Sequence, residues 1–151
     1  MQVTAKADYA IRAMAELAAA PGRTRTRAQV AEAQGIPGKF LEAILSDLRR
    51  DDLVLAQRGP SGGYRLARPA EQIALADVVR AVDGPLAAVR GLPPEDTDYL
   101  GPATSLREVW VATRAALRAV LESVSLADLV GGDLPADVQV LVAREGAWRR
   151  R

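Results

Sequence analysis

At 151 residues, with 49% apolar and 4% aromatic side chains and a formal net charge of +1, the chain suits one compact domain with room for an additional helix. It contains neither cysteine nor histidine, which excludes disulfides, thiolate nucleophiles, Cys/His zinc sites, thiolate-held iron–sulfur clusters and the usual imidazole general base. No uninterrupted apolar run approaches the ~20 residues needed to cross a bilayer, and Lys6, Asp8 and Arg12 interrupt the N-terminal stretch, so a soluble, cytoplasmic protein with no membrane association is expected.

The small net charge conceals an asymmetry, +4 over residues 1–69 against −3 over residues 70–151, which puts the positive field on the first half. Arginine outnumbers lysine 18 to 2, a bias that GC-rich codon usage also produces, so the placement of the arginines carries more weight than their number. In chain order, Met1 to Ala20 reads as a first helix capped by Thr4, with Tyr9, Ala13, Met14 and Leu17 on one face and Pro21-Gly22 as its stop. Asp8 suits the positive end of that helix. The run Arg23-Thr24-Arg25-Thr26-Arg27 is open between a phosphate-touching segment and a solvated loop.

Thr26 and Gln29 fit a capping box that starts a second helix near Arg27. Ala31 and Gly35, four residues apart, supply the small contact residue and the turn that a helix-turn-helix needs. Ile36, Leu41, Ile44, Leu45 and Leu48 then form the apolar stripe of a third helix, whose other face offers Gly38, Lys39, Glu42, Ser46 and Arg49. In this motif the later helix enters the major groove by its N-terminal end. Leu53 to Gln57 reads as a short strand, and Tyr64 and Leu66 alternate with Arg65 and Ala67 after the run Arg58-Gly59-Pro60-Ser61-Gly62-Gly63. Glycines and a proline between two such segments mark a hairpin loop. Arg58, Arg65 and Arg68 stand on it with no acid between them, able to present guanidinium groups to a polyanion.

Further on, Ile73, Leu75, Val78, Val79 and Val82 suggest a short linking helix within Glu71–Pro85, closed by Gly84-Pro85. Val89 to Thr104 reads as a loop holding Glu95, Asp96 and Asp98, whose spacing does not match a calcium site. Ser105 with Glu108 suggests another capping box. It would open the longest amphipathic helix, with Leu106, Val109, Trp110, Thr113, Leu117, Val120, Leu121 and Val124 at three- and four-residue steps. That stripe is more apolar surface than a small winged domain can cover. Ser125 to Val130 reads as a brief helix ending at Gly131-Gly132, the alternation Val138, Val140, Val142 as a short strand, and Trp148-Arg149-Arg150-Arg151 as a mobile basic end.

The order Tyr9-Ala10, Ala31, Gly35-Ile36, Leu41-Glu42, then Arg58-Gly59-Pro60-x-Gly62-Gly63-Tyr64-x-Leu66-Ala67-Arg68-Pro69 resembles the Rrf-two (Rrf2) family of bacterial winged-helix transcription regulators. The likeness is close over residues 1 to about 86 and looser beyond. It implies that the long helix crosses its equivalent in a homodimer. It also implies that Glu42 matches a family glutamate able to accept from a cytosine amino group, or to repel phosphate unless the right base is present. In some cluster-bearing relatives a carboxylate near the Asp8 position ligates the partner subunit's cluster, and the loop carries cysteines; here it has none. Pro37-Gly38 stand where a serine commonly caps, Phe40 where tyrosine is common, and Asp51-Asp52 where glycine is more usual.

The expected fold is mainly α with a small β-hairpin wing, a winged helix-turn-helix plus a long dimerisation helix. Residues 1–86 would form the DNA-binding domain with its linking helix, 87–104 a loop, 105–132 the dimerisation and short helices, and 133–151 a C-terminal tail. The expected function is a homodimeric, sequence-specific DNA-binding regulator, a repressor, reading a palindrome on nucleoid DNA without an iron–sulfur cluster or other cofactor; it is not an enzyme. The residues expected at DNA are Thr26, Gly38, Lys39, Phe40, Glu42, Arg49, Arg58, Pro60, Ser61, Gly62 and Arg65. For its switching three readings stay open: a small-molecule effector in an apolar pocket near Trp110, a protein partner, or no effector at all. The competing reading is a winged-helix interaction module that has lost specific DNA binding.

Overall fold

A computed structural model describes residues 2–149. Among the described residues, seven α-helices, α1 (Ala5–Ala18), α2 (Arg27–Gln34), α3 (Gly38–Arg50), α4 (Leu75–Asp83), α5 (Leu106–Leu121), α6 (Leu126–Gly131) and α7 (Ala136–Val142), accompany one antiparallel hairpin, β1 (Val54–Gln57) and β2 (Gly63–Leu66). The fold is therefore mainly helical with a two-stranded wing.

Helix α1 is the axis of the core. Its Ala7, Ala10, Ala13, Met14 and Leu17 are all at most 2% exposed, and the small alanines let α2, α3, α4 and α6 approach it closely. It begins where Thr4, in extended conformation, accepts the N–H of Ala7, so residues 2–4 precede the helix expected from Met1; Met1 itself lies outside the described residues. The linking helix is likewise shorter than the apolar pattern suggests. Ile73 is fully buried but sits ahead of α4, after a single 3-10 turn at Ala70–Gln72.

After α5 the chain comes back to that same point. Leu75 donates its N–H to the Val124 carbonyl and Leu126 donates to the Ile73 carbonyl, both at 2.9 Å. This short pairing places Leu126 in the central core at 0% exposure. Ser125 caps α6 through a reciprocal bond with Asp128, whose carboxyl is lowered from its ordinary value chiefly by the Ser125 hydroxyl.

Two sequence expectations fail locally. Ser105 makes no capping bond, because the chain arrives through a 3-10 turn at Gly101–Ala103 and Ser105 is already near-helical (φ −76°, ψ 0°) rather than extended. The Val138, Val140, Val142 alternation lies within α7, not a strand; Pro135 in front supplies a helix start, and among the described residues the one sheet is the β1–β2 hairpin. Of the basic end, Arg150 and Arg151 lie outside the described residues, while the Trp148 indole donates to the Val142 carbonyl at 2.9 Å.

Candidate nucleic-acid interface

The start of the second helix of the motif is set by the backbone that precedes it. Gly35 adopts the left-handed conformation (φ 60°) that reverses the chain after α2, and Ile36 drops into the core at 4% exposure. Pro37 precedes α3 without any side-chain capping bond, so the positive end of this helix is left uncovered. Leu41, Ile44, Leu45 and Leu48 face inward at 1% exposure or less. Gly38, Lys39, Phe40, Glu42, Ser46 and Arg49 consequently stand on the exposed side, in agreement with the 3.6-residue period. Phe40 is 56% exposed, and its ring meets Tyr9 edge-on at 6.2 Å. It thereby joins α3 to α1 but brings no hydroxyl to a phosphate.

In the wing, Val54 pairs with Leu66, Leu55 with Arg65, Ala56 with Tyr64 and Gln57 with Gly63. Tyr64 and Leu66 turn toward the core and Arg65 turns outward. Arg58, Pro60 and Ser61 are exposed at the tip, where Gly62 donates its N–H to the Gly59 carbonyl at 2.9 Å. Asp52, just ahead of the wing, holds a positive φ of 54°, a conformation aspartate tolerates better than most residues.

The Arg23–Arg27 run has a structural duty that periodicity does not reveal. Arg25 and Tyr64 exchange two backbone hydrogen bonds of 2.8 Å, making Arg25 a one-residue third strand of the wing. Gly63 is what permits this approach, since its φ is 148° and a Cβ there would lie 2.6 Å from the Arg25 carbonyl oxygen. Thr24 adds a hydroxyl bond to the Ser61 carbonyl at 2.9 Å. Thr26 completes the strap by capping α2, accepting the Gln29 N–H at 3.2 Å while Gln29 accepts the Thr26 N–H at 2.9 Å. The wing and the helix-turn-helix are thus stitched together through one short segment.

Among the charged groups of this half, two sets stand out. Lys6 bridges Asp47 at 2.6 Å and the Val82 carbonyl at 2.7 Å, joining α1, α3 and α4. Its hydrogen bond lowers the Asp47 carboxyl despite the opposing effect of partial burial. Arg12 pairs with Asp8 at 3.1 Å, Arg50 with Asp47 at 2.9 Å, and Arg27 with Glu42 at 2.7 Å. By contrast, among the described residues Lys39, Arg49, Arg58, Arg65 and Arg68 have no carboxylate partner within 4.0 Å. The second set lies on the outer side of α3 and along the wing, where an anionic partner could be met.

A different surface lies on α5, none of whose 16 residues is buried. Val109 is 53% exposed; Leu106, Trp110, Thr113, Leu117, Val120 and Leu121 are partly exposed; Val124 lies past the helix end and is 3% exposed. The Trp110 indole N–H is shielded yet finds no acceptor among the described residues. Arg114 clasps Glu95 at 2.6 Å, so one of the loop's acids is a structural partner, and that hydrogen bond lowers the Glu95 carboxyl. An apolar cleft of about 530 Å³ opens between α1, α4 and α5, at Ile11, Val79, Leu117 and Leu121, farther along α5 than the Trp110 position expected for a pocket.

A family model described as Rrf2, iron-dependent transcriptional regulator, matches residues 3–132. A Mycobacterium tuberculosis protein named as an HTH-type transcriptional regulator is 51% identical over 142 residues, which cover 93% of this chain and 88% of that protein. The HTH-type regulator IscR of Sodalis glossinidius is 34% identical, over 91% of this chain and 84% of its own. Among solved structures, CymR, the global cysteine regulator of B. subtilis, superposes with a TM-score of 0.74 at 31% identity, over 87% of this chain and 98% of CymR. T. potens IscR gives 0.72 at 28%, over 100% and 94%. The iron dependence in the family description meets a donor set that does not fit it. The sequence holds no cysteine or histidine, Asp8 is engaged by Arg12, and among the described residues no three candidate ligands cluster.

Proposed function

This chain belongs to the Rrf2 family of DNA-binding transcription regulators, and from that membership we propose that it acts as a homodimer that reads an imperfect palindrome and represses the adjoining genes, without an iron–sulfur cluster. Two α3 helices would enter successive major grooves about one turn, ~34 Å, apart, with the wings in the flanking minor grooves. Lys39, Glu42 and Arg49 would lie at base edges or phosphates, Arg58 and Ser61 in the minor groove, and Thr26, Gly38, Phe40, Pro60, Gly62 and Arg65 along the backbone. Residues 1–86 would serve as the DNA-binding unit, 87–104 as a loop, 105–132 as the dimerising unit and 133–151 as a tail. Such a regulator would act on DNA in the bacterial cytoplasm.

The observation that carries this reading is the set of cations without carboxylate partners, Lys39, Arg49, Arg58 and Arg65, on the exposed side of α3 and on the wing. Support for the dimer comes from α5, whose apolar stripe is nowhere fully buried by its own chain, with Val109 53% exposed. A small apolar effector in the cleft between α1, α4 and α5 would bear on both halves at once.

Selection of sheared genomic DNA by the purified protein at near-physiological salt, followed by sequencing, tests the reading. The expected result is one enriched, roughly palindromic element. Retention with no common element, fading as salt rises, would leave only phosphate attraction and favour a protein-interaction module.

A further inference from the structure

Glu42 is the one carboxylate on the exposed side of α3, since Asp47 turns inward to Lys6. A bare carboxylate there would face the phosphates of any duplex that α3 approached. It is not bare, because Arg27 Nη1 donates to Glu42 Oε2 at 2.7 Å, with side chains 49% and 69% exposed. Arg27 is a well-fixed anchor, being the first residue of α2 and following directly on the reciprocal Thr26–Gln29 cap. The contact uses one guanidinium N–H and one carboxylate oxygen. Glu42 Oε1 is thus left to accept from a base, and the remaining Arg27 donors are left for a phosphate.

We propose that Arg27 is the positioning residue that gives Glu42 its base preference. It neutralises the carboxylate toward the backbone and aims its second oxygen at an exocyclic amino group, as on cytosine. This inference rests on the proposed DNA-binding mode, and it assigns to α2, outside the groove-facing helix, a share in specificity.

The test is fluorescence anisotropy over a salt series with wild-type protein, R27A, E42A, the double variant and R27K. Each is titrated with the enriched element, with copies of it changed at one base pair at a time, and with an unrelated duplex. All are surface substitutions, and unchanged Tm values confirm that folding is intact. E42A frees the Arg27 charge, so it should bind the unrelated duplex about 3- to 10-fold more tightly, with a salt slope steeper by about 0.9. R27A should bind it more weakly by a similar factor, and the double variant should lie near wild type. At one base pair the discrimination of about tenfold or more expected of a good base contact should fall in R27A and in E42A alike, and fall no further in the double variant. R27K should keep the salt behaviour and only part of the discrimination.

An R27A protein that weakens on every duplex equally and keeps its base preference would overturn the proposal, leaving Arg27 as a phosphate contact. So would a double variant whose discrimination falls by the product of the two single losses. A wild-type protein that enriches no element removes the DNA-reading mode itself, and that result appears in the selection before any variant is made.

Discussion

The winged half and helix α5 solve opposite problems with similar apolar content. Around α1, the residues Met14, Leu41, Ile44, Leu45, Leu48 and Ile73 are almost wholly removed from water by their own chain, so that core is complete in one copy. Helix α5 carries an equally regular stripe and buries none of its residues. The contrast separates what one chain can fold from what, on the proposed reading, two chains complete together. It also puts the cations proposed to meet DNA on the half whose core is complete in one copy.

Substitutions can break or sharpen that contrast, and the largest effect belongs to the closed core. Leu48→Ala should destabilise by about 2–5 kcal/mol, read by urea denaturation, because the cavity cannot collapse among helices on all sides. Val109→Glu should leave far-UV circular dichroism nearly intact while weakening self-association by about 100-fold or more in sedimentation, since it places an unpaired charge on the proposed interface. If it instead unfolded the monomer, the distinction between the two regions would be lost. Gly63→Ala should cost about 1–3 kcal/mol through the left-handed backbone and the clash with Arg25, with faster amide exchange at Arg25 and Tyr64.

Smaller effects concern charge. Arg58→Ala should weaken binding to all duplexes by a few-fold and flatten the salt slope by about 0.9, with no change in Tm; an unchanged slope would remove Arg58 from the contact surface. The Glu95–Arg114 clasp supplies a pH test. A carboxyl held below its ordinary value of 4.5 in the folded protein contributes stability above its unfolded value and loses it as the pH falls through the lowered one. Acidification to below the ordinary carboxylate range should therefore speed amide exchange around Thr97, and Glu95→Gln should make that exchange fast at every pH.

Local chemistry explains which features were legible in the sequence. The Thr26–Gln29 cap, the α3 stripe and the glycine-rich hairpin each act within a few residues, and each appears where residue type and spacing put it. The Arg25–Tyr64 pairing and the return of Leu126 to Ile73 join segments 39 and 53 residues apart, and a single bridging residue leaves no period to detect. Ser105 and the valines of α7 mislead for a related reason. A cap needs the preceding backbone extended, and a strand needs a neighbour to pair with; the residues alone state neither. At the candidate site, the exposed positions of α3 were readable, whereas the ion pair between Arg27 and Glu42 depended on how α2 and α3 cross.

Hydroxyl-radical footprinting of the wild-type protein on its enriched element tests the central claim most directly. Two symmetric protected stretches, their centres about one helical turn apart and flanked by minor-groove protection, are the predicted result. A single asymmetric footprint at saturation, or protection confined to one groove face without the flanks, would contradict a dimer reading DNA with α3 and the wing together.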